Sequence, residues 1–437
     1  MTVAGGENGP AKGADPGSGA STSILSGGWR DAIGKCCLGW LLALFLVLAF
    51  VLDSRTGVIN FLRLPLFLAV LLCVRGDDLR RLWANGAARW FILLMAWLTL
   101  TLLWDGVGED DWKILQRGIQ VLTLLLAVFA VAARQPGWQA ALVKVFVLAG
   151  ACGAALILWD WPGGPAAIAG AFPTLDRAYF YTRGIFTISI FTGWMMAVLF
   201  IAGFYLALSS APRLALVFYV ACLLFLAVML ASQARSAWLA AGCGFAMVVW
   251  GRQPRRLGWW LAAAVLVVGL AALLSDDFRS LLATSFDRGN SFRVAIWRNC
   301  VEQLLAAPWQ GVVGFGLSAS TVNLAGGAEH SHYHNLYLNT LYYGGLVALI
   351  LYLGCLWQLV AAGVRGRLPW LWACLLLPMQ LAFVVDGENF FVTPSAMMLG
   401  YLLPLFWAMT GWQPLRHGPD GAGPTGERGP ALSPSSS

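Results

Sequence analysis

Apolar runs of about 18–22 residues, separated by short polar breaks, recur along almost the whole chain, beginning with LGWLLALFLVLAFVL at residues 38–52. That length carries a helix across a hydrocarbon core of about 30 Å, at about 1.5 Å per residue. A transmembrane β-barrel needs alternating segments of about ten residues instead. Lipid offers no partners to backbone N–H and C=O groups, so runs of this kind are satisfied as helices. Composition agrees: 59% of the 437 residues are hydrophobic and 11% charged, against about 45–50% and 25% in soluble domains, and the mean hydropathy is +0.72. The expected fold class is all-α, a polytopic helical membrane protein.

Twelve spans are expected, near 37–53, 57–74, 87–104, 116–133, 138–159, 186–208, 213–231, 236–250, 257–274, 335–360, 370–386 and 393–410. The Gly/Ser/Pro-rich stretch over 1–35 and the polar tail over 413–437 are expected to be disordered and cytoplasmic. Between them, 36–274 holds spans one to nine with an outer loop near 160–185, 275–334 forms a larger outer loop, and 335–412 holds spans ten to twelve. The residues after Met1 include no apolar segment of signal-peptide type, so no cleavable leader is expected.

Orientation follows from the Lys/Arg bias of short loops. With the N-terminus inside, the inner loops carry Arg75, Arg80, Arg81, Arg134, Arg213, Arg252, Arg255, Arg256, Arg365 and Arg367, while the outer loops hold most of the Asp and Glu. Both termini are then cytoplasmic. The formal charge of +7 is accounted for by this topology, so no nucleic-acid partner is read from it. Eight of the nine cysteines lie in spans or near the inner face and only Cys300 in an outer loop, which speaks against a disulfide framework.

Two outer connections are too long to be turns, and function is sought there. The larger contains SFRVAIWRNCVEQLLAAPW, where Phe292, Ile296, Cys300, Val301, Leu304 and Leu305 recur at helical spacing after Asn290 or Ser291 as N-cap, predicting a surface helix. The glycines of GVVGFG that follow require a bent, close-packed backbone. Arg235, in the turn SQARSAW, stands on the outer side against the charge bias. Arg293 opens the surface helix with Trp297 one turn later, and Arg183, in YFYTRGIF, closes the first long loop. Their plain alternatives are snorkelling and Arg–Trp stacking; if they converge, they form an anion site. His330, His332 and His334, in HSHYHNLYLNTLYYGGL, precede span ten. They can be read as a zinc site, as a solvated loop, or, through His334 and Asn335 at a helix N-terminus, as a neutral imidazole beside an anion, suited to be a general base. Asp386 and Glu388, in VVDGEN, can be read as a metal pair or a solvated turn.

Together these pieces resemble the O-antigen ligase and polymerase superfamily, the membrane glycosyltransferases that share the Wzy C-terminal domain. SQARSAW is similar to the family's S-x-S-R-G-A-W/L, with Ala234 and Ser236 departing from it; Arg293 to Trp297 followed by PWQGVVGFG is like R-x-x-x-W…P-x-x-G-x-G. HYHNLYLNTLYYGGL is close to H-x-H-N-x-x-L-x-x-L-x-x-x-G, and RGIF at Arg183 looks like R-x-G-x-F. The resemblance implies a GT-C-like fold and makes the outer loops periplasmic. It implies transfer of O-antigen polysaccharide from undecaprenyl diphosphate to lipid A-core at the periplasmic face of the bacterial inner membrane, without cofactor or metal.

In that chemistry the donor already carries its leaving group, and fixed arginines can stabilise the departing diphosphate. Arg235 and Arg293 are therefore assigned to the diphosphate, with Arg183 as partner or acceptor contact. His334 is assigned as the base, with His332 orienting or replacing it, and an inverting attack follows. Asn335, Trp297, Arg288 and Asp386 are supporting candidates. An O-antigen polymerase and a protein O-oligosaccharyltransferase share donor and motifs and stand as alternatives. A lipid-linked sugar transporter would show mid-span ionisable residues and paired broken helices, neither of which is evident in the sequence.

Overall fold

In the computed structural model the described residues are 24–104, 109–160, 186, 189–256, 258–259, 293–319, 323–325, 328–330, 333–387, 389–391 and 395–411, with the isolated positions 263, 266 and 270. They form helices α1 (Ile24–Val51), α2 (Arg55–Cys73), α3 (Gly76–Ala84), α4 (Gly86–Leu100), α5 (Glu109–Arg134), α6 (Pro136–Trp159), α7 (Ser189–Ala207), α8 (Pro212–Ser232) and α9 (Arg235–Arg252). After these come α10 (Arg293–Ala306), α11 (Pro308–Val313), α12 (Leu336–Val364), α13 (Trp370–Val385) and α14 (Met398–Met409). One antiparallel hairpin, Asn323–Ala325 with Ala328–His330, interrupts the helices. The architecture is all-α and polytopic: among the described residues seven helices are long and apolar enough to cross a membrane, and three further apolar helices are shorter.

Helices cover eleven of the twelve expected spans, and the ninth lies almost wholly outside the described residues. One boundary differs: α1 starts at Ile24, inside the stretch expected to be disordered to residue 35. The apolar run nucleates a helix that then extends backwards at one hydrogen bond per residue.

Exposed positions along the spans are mostly apolar, as a hydrocarbon solvent allows: Leu72 is 84% and Val364 85% exposed. The centre of the bundle is α7, 94% of whose most apolar window is buried. Helices α8, α9 and α13 pack on it. Helices α9 and α13 run antiparallel, because Trp370 Nε1 donates to the Met247 carbonyl at one end (2.8 Å) while, at the other, Trp194 donates to Ser236 Oγ (2.9 Å) and packs on Phe383. At the expected inner end Arg134 pairs with the buried Asp78. The N-terminus of α9, the C-terminus of α13 and, across the short connection from Asp386, the N-terminus of α12 thus share the opposite end.

Helix α12 is broken at Gly345, which has φ 67° and ψ −170°. The break frees carbonyls that neighbours fill: Phe315 N–H donates to Tyr342 O (2.8 Å), Gly316 N–H to Tyr343 O (3.1 Å) and Trp97 Nε1 to Gly344 O (2.7 Å). This explains the glycines of GVVGFG. A Cβ on Gly314, at φ 91°, would lie 2.2 Å from the Tyr343 carbonyl oxygen, and one on Gly345 2.2 Å from that of Val312. The two backbones are in contact. A broken helix is therefore present, one that local sequence patterning does not show because its partner segment lies some thirty residues upstream.

Candidate functional site

Asp386 follows sixteen residues of apolar helix α13 and is 1% exposed. A carboxylate so placed needs donors on every side. Among the described residues it has three: Arg293 Nη2 at 3.1 Å on Oδ2, His334 Nδ1 at 3.1 Å on Oδ1, and the Gly387 N–H at 3.2 Å on Oδ1. The reading of Asp386 as a solvated turn is thereby corrected: bundle packing removes it from solvent, and its glycine neighbour turns the backbone amide back onto it. A carboxylate can only accept, so Nδ1 of His334 carries a proton, and in the neutral imidazole the basic lone pair is on Nε2.

His334 reaches this position through a left-handed backbone, φ 49°, immediately before the N-cap of α12. Both flanks of that turn are fixed. Tyr333 N–H donates to Asn339 Oδ1 (3.1 Å), and Asn339, fully buried, donates from Nδ2 to the Gly387 carbonyl (2.7 Å). Asn335 is the N-cap of α12: its Oδ1 accepts from Leu338 N–H (3.0 Å) and its Nδ2 donates to Val384 O (2.7 Å). The cap consumes one of the N–H groups that a free helix N-terminus would offer to an anion.

Arg293 is the first residue of α10, and the helix is docked by Ile296, Cys300 and Leu304, all buried. Val301 and Leu305, expected on the same stripe, face outward at 43% and 73% exposure. Trp297 is placed one turn after Arg293, and its Nε1 donates to the Tyr333 carbonyl (3.0 Å), tying α10 to the His334 turn. Burial pushes the Tyr333 hydroxyl well above the usual phenol range, so it stays neutral beside Gln303 (3.4 Å). Burial likewise pushes the Cys300 thiol up to about 12.

Arg235 is the first residue of α9, after a two-residue turn in which Gln233 adopts φ 51°. It stands at the same end of the bundle as Asp386, linked through Ser236, Trp194 and Phe383. Ala234 suits the turn: a Cβ on Gly193 would already lie 2.8 Å from its methyl carbon. Arg183, Arg288, His332 and Glu388 lie outside the described residues, as do most of the two outer loops. Among the described residues no group of three or more His, Cys, Asp and Glu side chains is placed to hold a metal ion.

The structure thus brings Arg293, His334 and Asp386 into one hydrogen-bonded group and sets Asn335 and Trp297 around it. The sequence reading did not identify Asp386 as the hub, nor Asn339 and Tyr333 as supports. The signal available for Asn339 was its position four residues after Asn335, on the same helix face. Residues 220–353, which include Arg235, Arg293, Trp297 and His334, match the family model described as O-antigen ligase. No curated protein matches the chain. The chain is a multi-pass membrane protein whose residues 220–353 are similar to the O-antigen ligase family.

Proposed function

We propose that this protein is a glycosyltransferase that ligates O-antigen polysaccharide from undecaprenyl diphosphate onto lipid A-core, at the periplasmic face of the inner membrane. The observation that carries the mechanism is the sharing of one buried carboxylate by Arg293 and His334. A base for the acceptor and a cation for the leaving group are then held at a fixed separation before substrate arrives.

In the proposed step an acceptor hydroxyl oxygen attacks the anomeric carbon. The C1–O bond to the diphosphate breaks with its electron pair going to the diphosphate, and the hydroxyl proton passes to His334 Nε2. Configuration inverts because attack comes from the face opposite the leaving group. Asp386 holds the imidazole in the tautomer that can receive the proton. Arg293 uses one N–H on Asp386 and offers the rest of its guanidinium fork to phosphate oxygens, with Arg235, and Arg183 as a further partner, adding charge. His332 is retained as an alternative base, and Arg288 as a supporting cation. An apolar groove lined by Val301, Leu304, Leu305, Pro308, Gly311 and Leu341, about 350 Å³, runs beside α10 and suits part of the polyprenyl tail.

The alternative in which lipid-linked sugar is moved unaltered draws on two observations, the mid-span Arg63 of α2 and the break in α12. Its carbonyls are filled by protein donors, which supports a structural use of the break. The test is to incubate purified protein with undecaprenyl diphosphate-linked oligosaccharide and lipid A-core, with and without excess chelator, and to resolve the products by gel and mass spectrometry. Sugar on lipid A-core, undiminished by chelator, is expected. Lengthened donor beside untouched lipid A-core would make the protein a polymerase, and no covalent change to either lipid would overturn the enzymatic reading.

A further inference from the structure

Away from that site, α2 carries an arginine in mid-span. Arg63 lies on the π-helical turn Leu62–Leu66 beside Pro65, is exposed on the lipid-facing side, and among the described residues has no carboxylate partner. Ionisable side chains at such depth pair with one another or line a cavity. Arg63 lines one, about 220 Å³, with Leu62, Phe67, Gln116, Ile119, Gln120 and Thr123, between α2 and α5.

The wall opposite is polar without being satisfied. Gln120 is 2% exposed, and neither its Oε1 nor its Nε2 has a hydrogen-bond partner among the described residues. Thr123 spends its hydroxyl on the Ile119 carbonyl (2.7 Å) and offers oxygen lone pairs only. A buried carboxamide with both ends unpaired is costly, and a cation facing lipid alone is costly too. One ligand that accepts from Arg63 and Gln120 Nε2, and donates a hydroxyl to Gln120 Oε1, relieves both.

Position narrows its class. Gln120 is nine residues inside the Asp111 end of its span and Arg63 eight inside the Arg55 end, about 12–14 Å along each helix. Side chains lean towards the helix N-terminus, so Arg63 reaches towards the Arg55 end, the face that carries the His334 site. We infer that the cavity between α2 and α5 is a lateral binding site for the phosphate group of a membrane lipid, entered from the outer half of the bilayer and held by Arg63 and Gln120.

The experiment is native mass spectrometry of the full-length protein in detergent, titrated separately with phosphatidylglycerol, undecaprenyl phosphate and uncharged diacylglycerol. The wild type is expected to retain one phosphate-bearing lipid and not diacylglycerol. Arg63→Gln and Gln120→Leu, each checked for an unchanged elution profile and melting midpoint, are expected to lower that retention by about tenfold or more, the worth of a hydrogen bond to a charged group. Gln120→Leu removes an unsatisfied amide and so keeps the test available if Arg63→Gln fails to insert. Equal retention of both phosphate lipids assigns a general phosphate site, and retention of undecaprenyl phosphate alone a polyprenyl carrier site. Equal retention of diacylglycerol, or undiminished binding in both folded variants, would overturn the inference.

Discussion

Replacing Asp386 by Asn keeps the shape of the side chain and removes the charge that Arg293 and His334 share. The amide oxygen can still accept from one of them, but the amide nitrogen then presents hydrogens to the other donor. One charge-assisted hydrogen bond is therefore lost, worth about 1.5–3 kcal/mol of stability, with the low end favoured because the Arg293 and His334 side chains are about a quarter exposed. The catalytic effect should exceed this. General base catalysis contributes about 10²–10⁴-fold, and losing the carboxylate that fixes an imidazole's tautomer costs about 10⁴ in a serine protease. A fall in kcat of about 10²–10³, with little change in KM, is expected for D386N in the proposed transfer of sugar to lipid A-core. The discriminating measurement is a double-mutant cycle with His334→Ala. If Asp386 works through His334, D386N costs less than about threefold once the imidazole is gone. A full additional loss in the H334A background would show that the carboxylate serves the diphosphate cations or the fold alone. Wild-type turnover by folded D386N would refute the arrangement altogether.

Gly345→Ala places a methyl carbon 2.2 Å from the Val312 carbonyl at φ 67°, and should lower stability by more than about 2 kcal/mol, read as a drop in the melting midpoint; an unchanged midpoint would mean the α11–α12 contact is not needed. Trp297→Phe keeps the ring but deletes the donor to Tyr333 O, costing about 0.5–1.5 kcal/mol, and should lower kcat severalfold with KM steady because the His334 turn loosens. Cys300, fully buried and with its thiol pushed up to about 12, should resist iodoacetamide at pH 8 until the protein is unfolded, as peptide mass spectrometry would show. Because its folded value lies above the unfolded one, its contribution to stability is complete below about pH 9 and fades as pH rises towards 12.

What could be read in advance divides along a physical line. Span positions follow from hydropathy, a property local to each run, and α12 and α13 start within a residue of their expected places. The surface helix was legible from its period, although only Ile296, Cys300 and Leu304 face inward: a helix lying against a bundle in lipid can leave Val301 and Leu305 apolar on its outer face as well, so period alone overstates its buried stripe. The break at Gly345 and the fit of Gly314 against Tyr343 were not legible, since the glycines announce freedom of backbone without naming the segment they approach. Arg293 and His334 were legible as residue types in a motif. Their meeting point was not, because Asp386 is 52 residues beyond His334 and 93 beyond Arg293.

Yet the signal for that meeting point lay in where Asp386 stands. It ends a long apolar helix in a bundle whose surface is lipid, and a charge there is either solvated or bound by cationic donors. From sequence alone the first option is the simpler, since a carboxylate at a helix end in an outer loop has water available. The second holds because Asn335 and Asn339 reach across from α12 to the carbonyls of Val384 and Gly387 and clamp the end of α13 against it. That clamp closes the turn over Asp386, and with water displaced the charge is compensated, among the described residues, by Arg293, His334 and the Gly387 amide. The asparagines thus act on the site through geometry: substituting Asn339 by Leu should admit water to Asp386 and loosen the His334 turn. Turnover should then fall more than the melting midpoint alone would suggest, and a fall in the midpoint with full turnover in the remaining folded protein would confine Asn339 to packing.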